Sequence, residues 1–291
     1  MNSNIQQIRA FNRTVAQRLG VLNERYLGRN RPYVESRLLF EIGTDGATVR
    51  DLRERLGLDS GFFSRLLRAL ERKGLAMTQR SDEDHRVRCV RLTRAGTAEL
   101  RRVDRASNDL AQSMLQPLGE AQARRLVDAM AEVERLVRAS SIEIVTAHPA
   151  STQARRCLDS YFAELDRRFS GGFDPGNGAT DNGDYAPPRG RFLIARLLGQ
   201  PVGCAAIRTL EPGTGEIKRM WIAPDARGMG LGRRLLAELE RVAKRRKLHT
   251  IRLDTHASLT EALHLYRSAG YRRIPRFNDN PYAQRWFEKR L

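Results

Sequence analysis

The chain has 291 residues, with 52 Lys+Arg against 34 Asp+Glu, a formal net charge of +18 and 41% hydrophobic residues. That length leaves room for two ordinary domain cores, and the absence of any apolar run near the roughly 20 residues of a bilayer span excludes a helical membrane protein. The basic excess is shared almost evenly, with 26 Lys+Arg against 18 Asp+Glu in residues 1–140 and 26 against 16 in residues 141–291. Charge alone therefore locates no nucleic-acid surface, and an Arg-rich genome accounts for it as readily.

Residues 1–19 are polar and helical in pattern, with Ile8, Phe11, Val15, Leu19 and Leu22 at helical spacing and no apolar leader segment, so a cytoplasmic location is expected. Pro32 precedes a second helix near 34–43, and Thr48 reads as the cap of a third that closes at Gly57. After the short turn 57–59 a fourth helix runs from Ser60 to Lys73, ending at Gly74. Residues 76–92 hold two β-like runs around a polar tip at 81–85. Two long helices follow, from Arg94 and from Gly119, the second with an apolar stripe at Leu126, Met130, Val133 and Val137.

Beyond Ala139 strands and helices alternate. IEIVTA at 142–147 reads as a strand and 151–169 as a helix, and the Gly/Asn/Asp/Pro-rich stretch 171–190 reads as a loop, either a functional lid of the acceptor pocket or plain disorder. A hairpin turns at Gly199-Gln200, and a strand EIKRMWI then enters the helix 232–247. IRLDT, a helix over 259–269 and two terminal strands complete the chain. Cys89, Cys157 and Cys204 are too scattered for a disulfide framework or a CxxC site, and the five histidines show no ligand spacing, so no metal is expected.

Phe63, Leu66, Leu67 and Leu70 fall at i, i+3, i+4 and i+7 and fix the buried face of the fourth helix; Ser64, Arg65, Arg68 and Arg72 then lie opposite. A helix so seated, led in by a short turn, has the geometry of a major-groove reader, although a charged outer face is also what any surface helix shows. In that reading Arg65 and Arg68 reach base edges and Ser60 and Ser64 reach phosphates. The run that follows, with Asp84 and Arg86 ahead of a strand and then Leu92, Thr93 and Gly96, resembles the wing of MarR-family regulators. The order from Leu56 or Leu58 through Leu75 resembles their recognition helix. The resemblance implies an all-α winged-helix DNA-binding and dimerisation domain over 1–138. It also implies an acidic residue orienting Arg86 toward a minor groove, a homodimer built on the first and last helices, and a near-palindromic double-stranded operator.

The stretch 215–246 passes from a strand through Pro224 into Arg227, Gly228, Met229, Gly230, Leu231 and Gly232, which open a helix. Glycines at a helix N-terminus let main-chain N–H groups close on an anion, and this suits a diphosphate. A dinucleotide fingerprint would need GxGxxG almost directly after the strand with an acid about 20 residues on. Here the spacing is GxGxG and 223–227 intervene, although Asp254 stands at a tempting distance. The pattern resembles instead the RxxGxG signature of the GNAT acetyltransferase superfamily, in register at Arg227, Gly230 and Gly232; Ala262, Leu265 and Tyr266, followed by Gly270-Tyr271, resemble its later elements.

That resemblance implies a GNAT domain over 141–291 with a central mixed sheet, and acetyl-CoA as co-substrate. It further implies that residues 227–233 hold the cofactor phosphates, with Arg233 among them although a solvated helix face would look the same, that the backbone of Met220, Trp221 and Ile222 holds the pantetheine, and that Tyr266 is the general acid. Tyr266 also falls on the apolar stripe Leu259, Ala262, Leu263, where a core tyrosine would sit. Glu216, on the strand ahead of the loop, is the candidate base, acting through water. Together the two halves imply a bifunctional regulator and N-acetyltransferase acting on a primary amine of a small molecule or a protein lysine. A transcription factor whose GNAT domain only senses acetyl-CoA, and a DNA-binding half reduced to a dimerisation platform, remain the alternatives.

Overall fold

The computed structural model describes residues 2–80, 85–176 and 183–291, and its chain falls into two compact units, Met1–Met130 and Ala131–Leu291. The expected boundary at 138–141 lies at the end of a helix, whereas the units divide inside it. The reason is local: Arg135 donates to the Gly228 carbonyl at 3.2 Å and Arg138 faces Asp225 at 3.6 Å, so the last turns belong with the second unit.

The first unit contains α1 (Asn2–Leu19), α2 (Tyr33–Ile42), β1 (Ala47–Thr48), α3 (Val49–Leu56), α4 (Ser60–Arg72), β2 (Ala76–Arg80), β3 (Arg88–Leu92) and α5 (Arg94–Leu115); α6 (Glu120–Ser140) crosses the division. Caps fix the boundaries: the side chains of Thr48, Asp59 and Thr93 accept from the amides of Asp51, Phe62 and Gly96. The apolar stripe of α4 buries Phe63, Leu66, Leu67 and Leu70 against Leu38, Leu39, Ile42 and Leu52, where truncating one leucine to alanine costs about 2–5 kcal/mol. The three strands pair in the order β1-β3-β2, and the two-residue β1 is too short to leave a pattern in the sequence.

The turn at Thr93 to Gly96 has a mechanical purpose. The Thr93 hydroxyl donates to the Gly74 carbonyl at 2.6 Å, its amide donates to the Leu75 carbonyl, and a Cβ at Gly96 would stand 1.8 Å from that same carbonyl. The hairpin is thereby clasped to the end of α4, and only glycine permits the approach.

The second unit is a seven-stranded mixed sheet, ordered β4-β5-β6-β7-β8-β10-β9. Its strands are β4 (Ile142–Ala147), β5 (Gly190–Leu197), β6 (Gln200–Glu211), β7 (Thr214–Ile222), β8 (Thr250–Thr255), β9 (Arg272–Ile274) and β10 (Arg285–Arg290). Its helices are α7 (Thr152–Arg168), α8 (Leu231–Arg245) and α9 (Thr260–Ser268). Among the described residues only β7 and β8 pair in parallel, as their connection through α8 requires. Strand alternation divides β6 between two cores: Ala205 and Ile207 pack with Leu231, Leu235 and Leu239 of α8, while Cys204 and Ala206 pack with Ala154, Cys157 and Leu158 of α7.

Candidate functional site

The site begins with a fault in β7. Cys204 and Ala206 of β6 pair with Trp221 and Lys218, so β7 carries one extra residue there, and Arg219 takes a left-handed φ of 58°. Such a bulge bends its strand and raises the local twist. On the far side, pairing of β7 with β8 runs from Thr214↔Thr250 to Ile217↔Leu253 and stops. Among the described residues the β8-facing edge of β7 from Lys218 to Ile222 therefore has no strand partner, which leaves main-chain groups there for an extended ligand.

At the end of that edge lies the glycine loop. A 3₁₀ turn, Pro224–Ala226, leads to Gly228 and Gly230 with φ of 75° and 69°, and Gly230 occupies the cap position of α8. Alternation of φ sign along Gly228-Met229-Gly230 turns successive N–H groups into one concavity, a main-chain nest for anions. The first-turn amides of α8 have no carbonyl four residues back. Unlike those of α3, α4, α5 and α7, they receive no side-chain cap. Nothing stands within 4 Å of a Cβ at Gly230, so the space over the nest is open. A diphosphate fits these residues in charge and shape. Gly232 serves packing instead, because its Cβ position is 3.1 Å from Leu265 and 3.2 Å from Ile222, and it lets α8 approach α9.

Two cavities meet at this split. One, of about 470 Å³, is lined by Met220, Trp221, Ile222, Arg227, Gly228, Gly230, Leu231, Gly232, Arg233 and Tyr266, together with Glu164 and Arg168 of α7. It gathers every residue expected to hold acetyl-CoA except Met229, whose side chain turns into the core. The other, of about 400 Å³, is lined by Phe169, Phe173, Lys218, Arg219, Asp254, His256 and Tyr282. Tyr161, Leu165, Met220, Leu259, Ala262 and Tyr266 line both cavities.

Tyr266 stands on that shared wall, 6% exposed, with its hydroxyl donating to Met220 Sδ at 3.7 Å. The ring packs on Tyr271 and Phe287, as a core tyrosine does, while the residue also lines both cavities. Burial, with Tyr161 and Asp254 nearby, pushes the phenol well above its ordinary value, so it is neutral and a donor at any physiological pH.

Glu216 is placed differently from the sequence expectation. It lines neither cavity, is 0% exposed, and its carboxylate is held by Arg208 at 2.7 Å, Lys218 at 3.1 Å and Asn278 at 3.1 Å. Alternation along β7 puts it beneath the bulge, where Arg208, Lys218 and Asn278 fix its carboxylate. Lys218 continues the network to Asp254, which Asn280 also contacts.

Sequence reasoning missed Glu164. Its carboxylate accepts from Trp221 Nε1 at 2.9 Å, Arg227 at 2.5 Å and Arg168 at 3.3 Å, and Arg168 reaches Glu261 of α9 at 3.0 Å. Burial opposes ionisation of Glu164, but these three donors outweigh it and hold the carboxyl below its usual range. Arg227 also donates to the Ile222 carbonyl at 3.1 Å, so it braces the loop against β7 and α7. Arg233 donates to Ser268 at 3.1 Å.

In the first unit Ser60, Ser64, Arg65 and Arg68 are exposed on α4, and Arg65, Arg68, Glu71 and Arg72 share one shallow depression. Arg65 lies over the Phe62 ring at 5.9 Å, and the Ser64 hydroxyl bonds back to the Ser60 carbonyl at 2.7 Å. Arg86 lies in the turn before β3, whereas Asp84 falls outside the described residues. Among the described residues no cluster of metal-ligating side chains occurs and no helix is long and apolar enough to cross a membrane.

Residues 158–271 match the acetyltransferase (GNAT) family and residues 28–87 match the MarR family. The IAA acetyltransferase of Azospirillum brasilense is 41% identical over 111 residues, which are 37% of this chain and 72% of that protein. The N-alpha-acetyltransferase RimI of Mycobacterium tuberculosis is 36% identical over 125 residues, covering 42% and 73%. An uncharacterized HTH-type transcriptional regulator, YdgJ of Bacillus subtilis, is 29% identical over 89 residues, covering 31% and 54%. The bulged, split β7, the glycine nest at α8 and these matches agree: the chain belongs to the GNAT acetyltransferase family and is an acyltransferase, preceded by a segment that matches the MarR family model.

Proposed function

We propose that the protein is a homodimeric DNA-binding regulator whose second unit transfers the acetyl group of acetyl-CoA to a primary amine. The observation that carries the enzymatic half is the continuity of the nest, the open edge of β7 and Tyr266 along one cavity. In this reading the amides from Gly228 to Gly232 take the diphosphate, and the amides of Met220 to Ile222 hold the pantetheine and the thioester carbonyl. Tyr266 reaches the sulfur.

The amine enters from the second cavity as a neutral base. Lys218 and Arg219 line that cavity beside Asp174 and Asp254. The ammonium proton passes to water there, while Glu216, held by three donors, steadies Lys218 beneath the bulge. The nitrogen lone pair attacks the thioester carbon, the nitrogen then gives its second proton to water, the C–S bond breaks, and the departing thiolate takes the Tyr266 proton, which solvent restores. Acetyl-CoA incubated with a panel of primary amines should release thiol in proportion to acetylated amine. Binding of acetyl-CoA without turnover of any amine would mark a sensor instead.

For the first unit, α4 offers Arg65 and Arg68 to a major groove and the β2–β3 hairpin carries Arg86 toward the adjacent minor groove. The apolar residues Ile5, Ile8 and Phe11 of α1, and Val127, Met130, Val133 and Val137 of α6, are exposed in the single chain; burial between two copies would cover them. A two-fold dimer then requires a near-palindromic operator. DNA and acetyl-CoA are both met in the cytoplasm, where we place the protein.

A further inference from the structure

We propose that the second cavity selects a primary amine carried on a short chain that ends in an aromatic ring. This rests on the acetyl-transfer reading above and names the acceptor of that site. Phe169, Phe173 and Tyr282 pack against one another with ring centroids 4.7 to 5.9 Å apart, one pair stacked, one tilted and one edge-on, and His256 lies 4.2 Å from Phe169. Tyr161 and Tyr185 complete the aromatic lining. None of the three packed rings belongs to the buried clusters of the unit among the described residues. Phe173 and Tyr282 are half-buried and come from loops more than a hundred residues apart, joined where the Asp174 amide donates to the Tyr282 hydroxyl at 2.9 Å. Phe169, the C-cap of α7, is buried, and Phe173 also stacks on Phe162 at 5.7 Å; ring surface brought to one cavity from the end of a helix and two distant loops is a binding wall.

The polar groups narrow the class. Asp254 and Asp174 are the carboxylates in the lining. Asp254 is held by Lys218 and Asn280, and Asp174 accepts from the Gly176 amide at 2.8 Å. With Lys218 and Arg219 beside them, a second ammonium on the acceptor would enter a cavity without net negative charge. That disfavours polyamines and lysine-like chains and leaves the ring wall as the source of selectivity. The second cavity shares Tyr161 and Tyr266 with the cofactor cavity, so a ring seated on the wall leaves a short amine-bearing chain to run toward the thioester.

The test compares kcat/KM for matched pairs: 2-phenylethylamine against butylamine, phenylalaninamide against alaninamide, and a peptide beginning with Phe against one beginning with Ala. Each offset ring contact is worth about 2- to 12-fold. The aromatic member of the preferred pair should therefore lead by at least fivefold, and the pair with the largest lead identifies a free amine, an amino-acid derivative or a peptide as the source. Phe173→Leu and Tyr282→Leu should shrink that lead toward unity. A lead under twofold in every pair, or one that both variants preserve, overturns the proposal. Calorimetry of the same amines with CoA present separates the two readings: an aromatic preference in binding with no turnover refutes acetyl transfer and supports the wall, whereas turnover without preference refutes the wall alone.

Discussion

Gly230→Ala isolates the main-chain nest from everything else at the site. The residue sits at φ 69° and ψ 6°, and its Cβ position meets nothing within 4 Å, so the substitution adds no clash, only left-handed backbone strain. That strain is about 1–2 kcal/mol for a residue with a Cβ. If the loop keeps its shape, the strain appears as stability, roughly 2–8 °C in Tm for a unit of this size. If the loop relaxes to negative φ, the peptide turns and takes its amides out of the concavity, which weakens CoA binding about 5- to 30-fold. Gly232→Ala is the control, because the atoms its Cβ meets at 3.1 and 3.2 Å are side-chain ends of Leu265 and Ile222 that can move. Calorimetric titration with CoA and a thermal melt read both arms. A Gly230→Ala protein that binds CoA within twofold of the parent and also melts within 1 °C of it would refute the strained nest.

Other consequences follow from particular contacts. Tyr266→Phe should lower kcat about 100-fold or more and shift stability by under about 1 kcal/mol, since the hydroxyl has only Met220 Sδ as partner at 3.7 Å. Burial raises the phenol, so the neutral acid persists as pH rises; the parent rate should climb as the amine deprotonates, and a falling limb below pH 10 that Tyr266→Phe removes would contradict the assignment. In the first unit, burial works against ionisation of Glu99, but Arg29 at 2.8 Å, Arg31 at 3.2 Å and Arg102 at 3.3 Å lower its carboxyl. Its contribution is complete above the unfolded value near 4.3 and fades as pH falls through the lower folded value. Glu99→Gln should cost about 2 kcal/mol at pH 7, less than a wholly buried pair because Arg29 and Arg102 reach solvent; denaturant unfolding checks it, and an unchanged midpoint would refute the ion cluster's role. Arg65→Ala and Arg68→Ala should each weaken binding to the protein's own promoter by about 1–3 kcal/mol; unchanged affinity would point to a platform without operator specificity. Val133→Asp with Val137→Asp should convert a dimer to a monomer in analytical ultracentrifugation, and a parent that sediments as a monomer would exclude the dimer.

Elements marked by local chemistry were legible in the sequence. Thr48, Gly57, Gly74 and Ser151 close or open helices where capping rules place them, and Gly228 and Gly230 announce the loop because backbone sign is written into residue type. The bulge carries no such mark: Arg219 holds a left-handed φ that its own side chain disfavours, imposed by pairing with β6. Glu164 was hidden for a different reason. Its partners Trp221 and Arg227 lie 57 and 63 residues away, and nothing in the α7 pattern distinguishes it from a solvated helix acid. Glu216 shows the same limit from the other side, since strand alternation gives its facing but not the arginine, lysine and asparagine that occupy its carboxylate.

The most direct measurement is thiol release from acetyl-CoA by the full chain in the presence of primary amines, with acetylated product identified by mass. Thiol and N-acetyl amine should appear in equal amounts and be abolished together by Tyr266→Phe. Saturable acetyl-CoA binding with no acetylated amine from any acceptor, or turnover that survives Tyr266→Phe undiminished, would contradict acetyl transfer through this tyrosine.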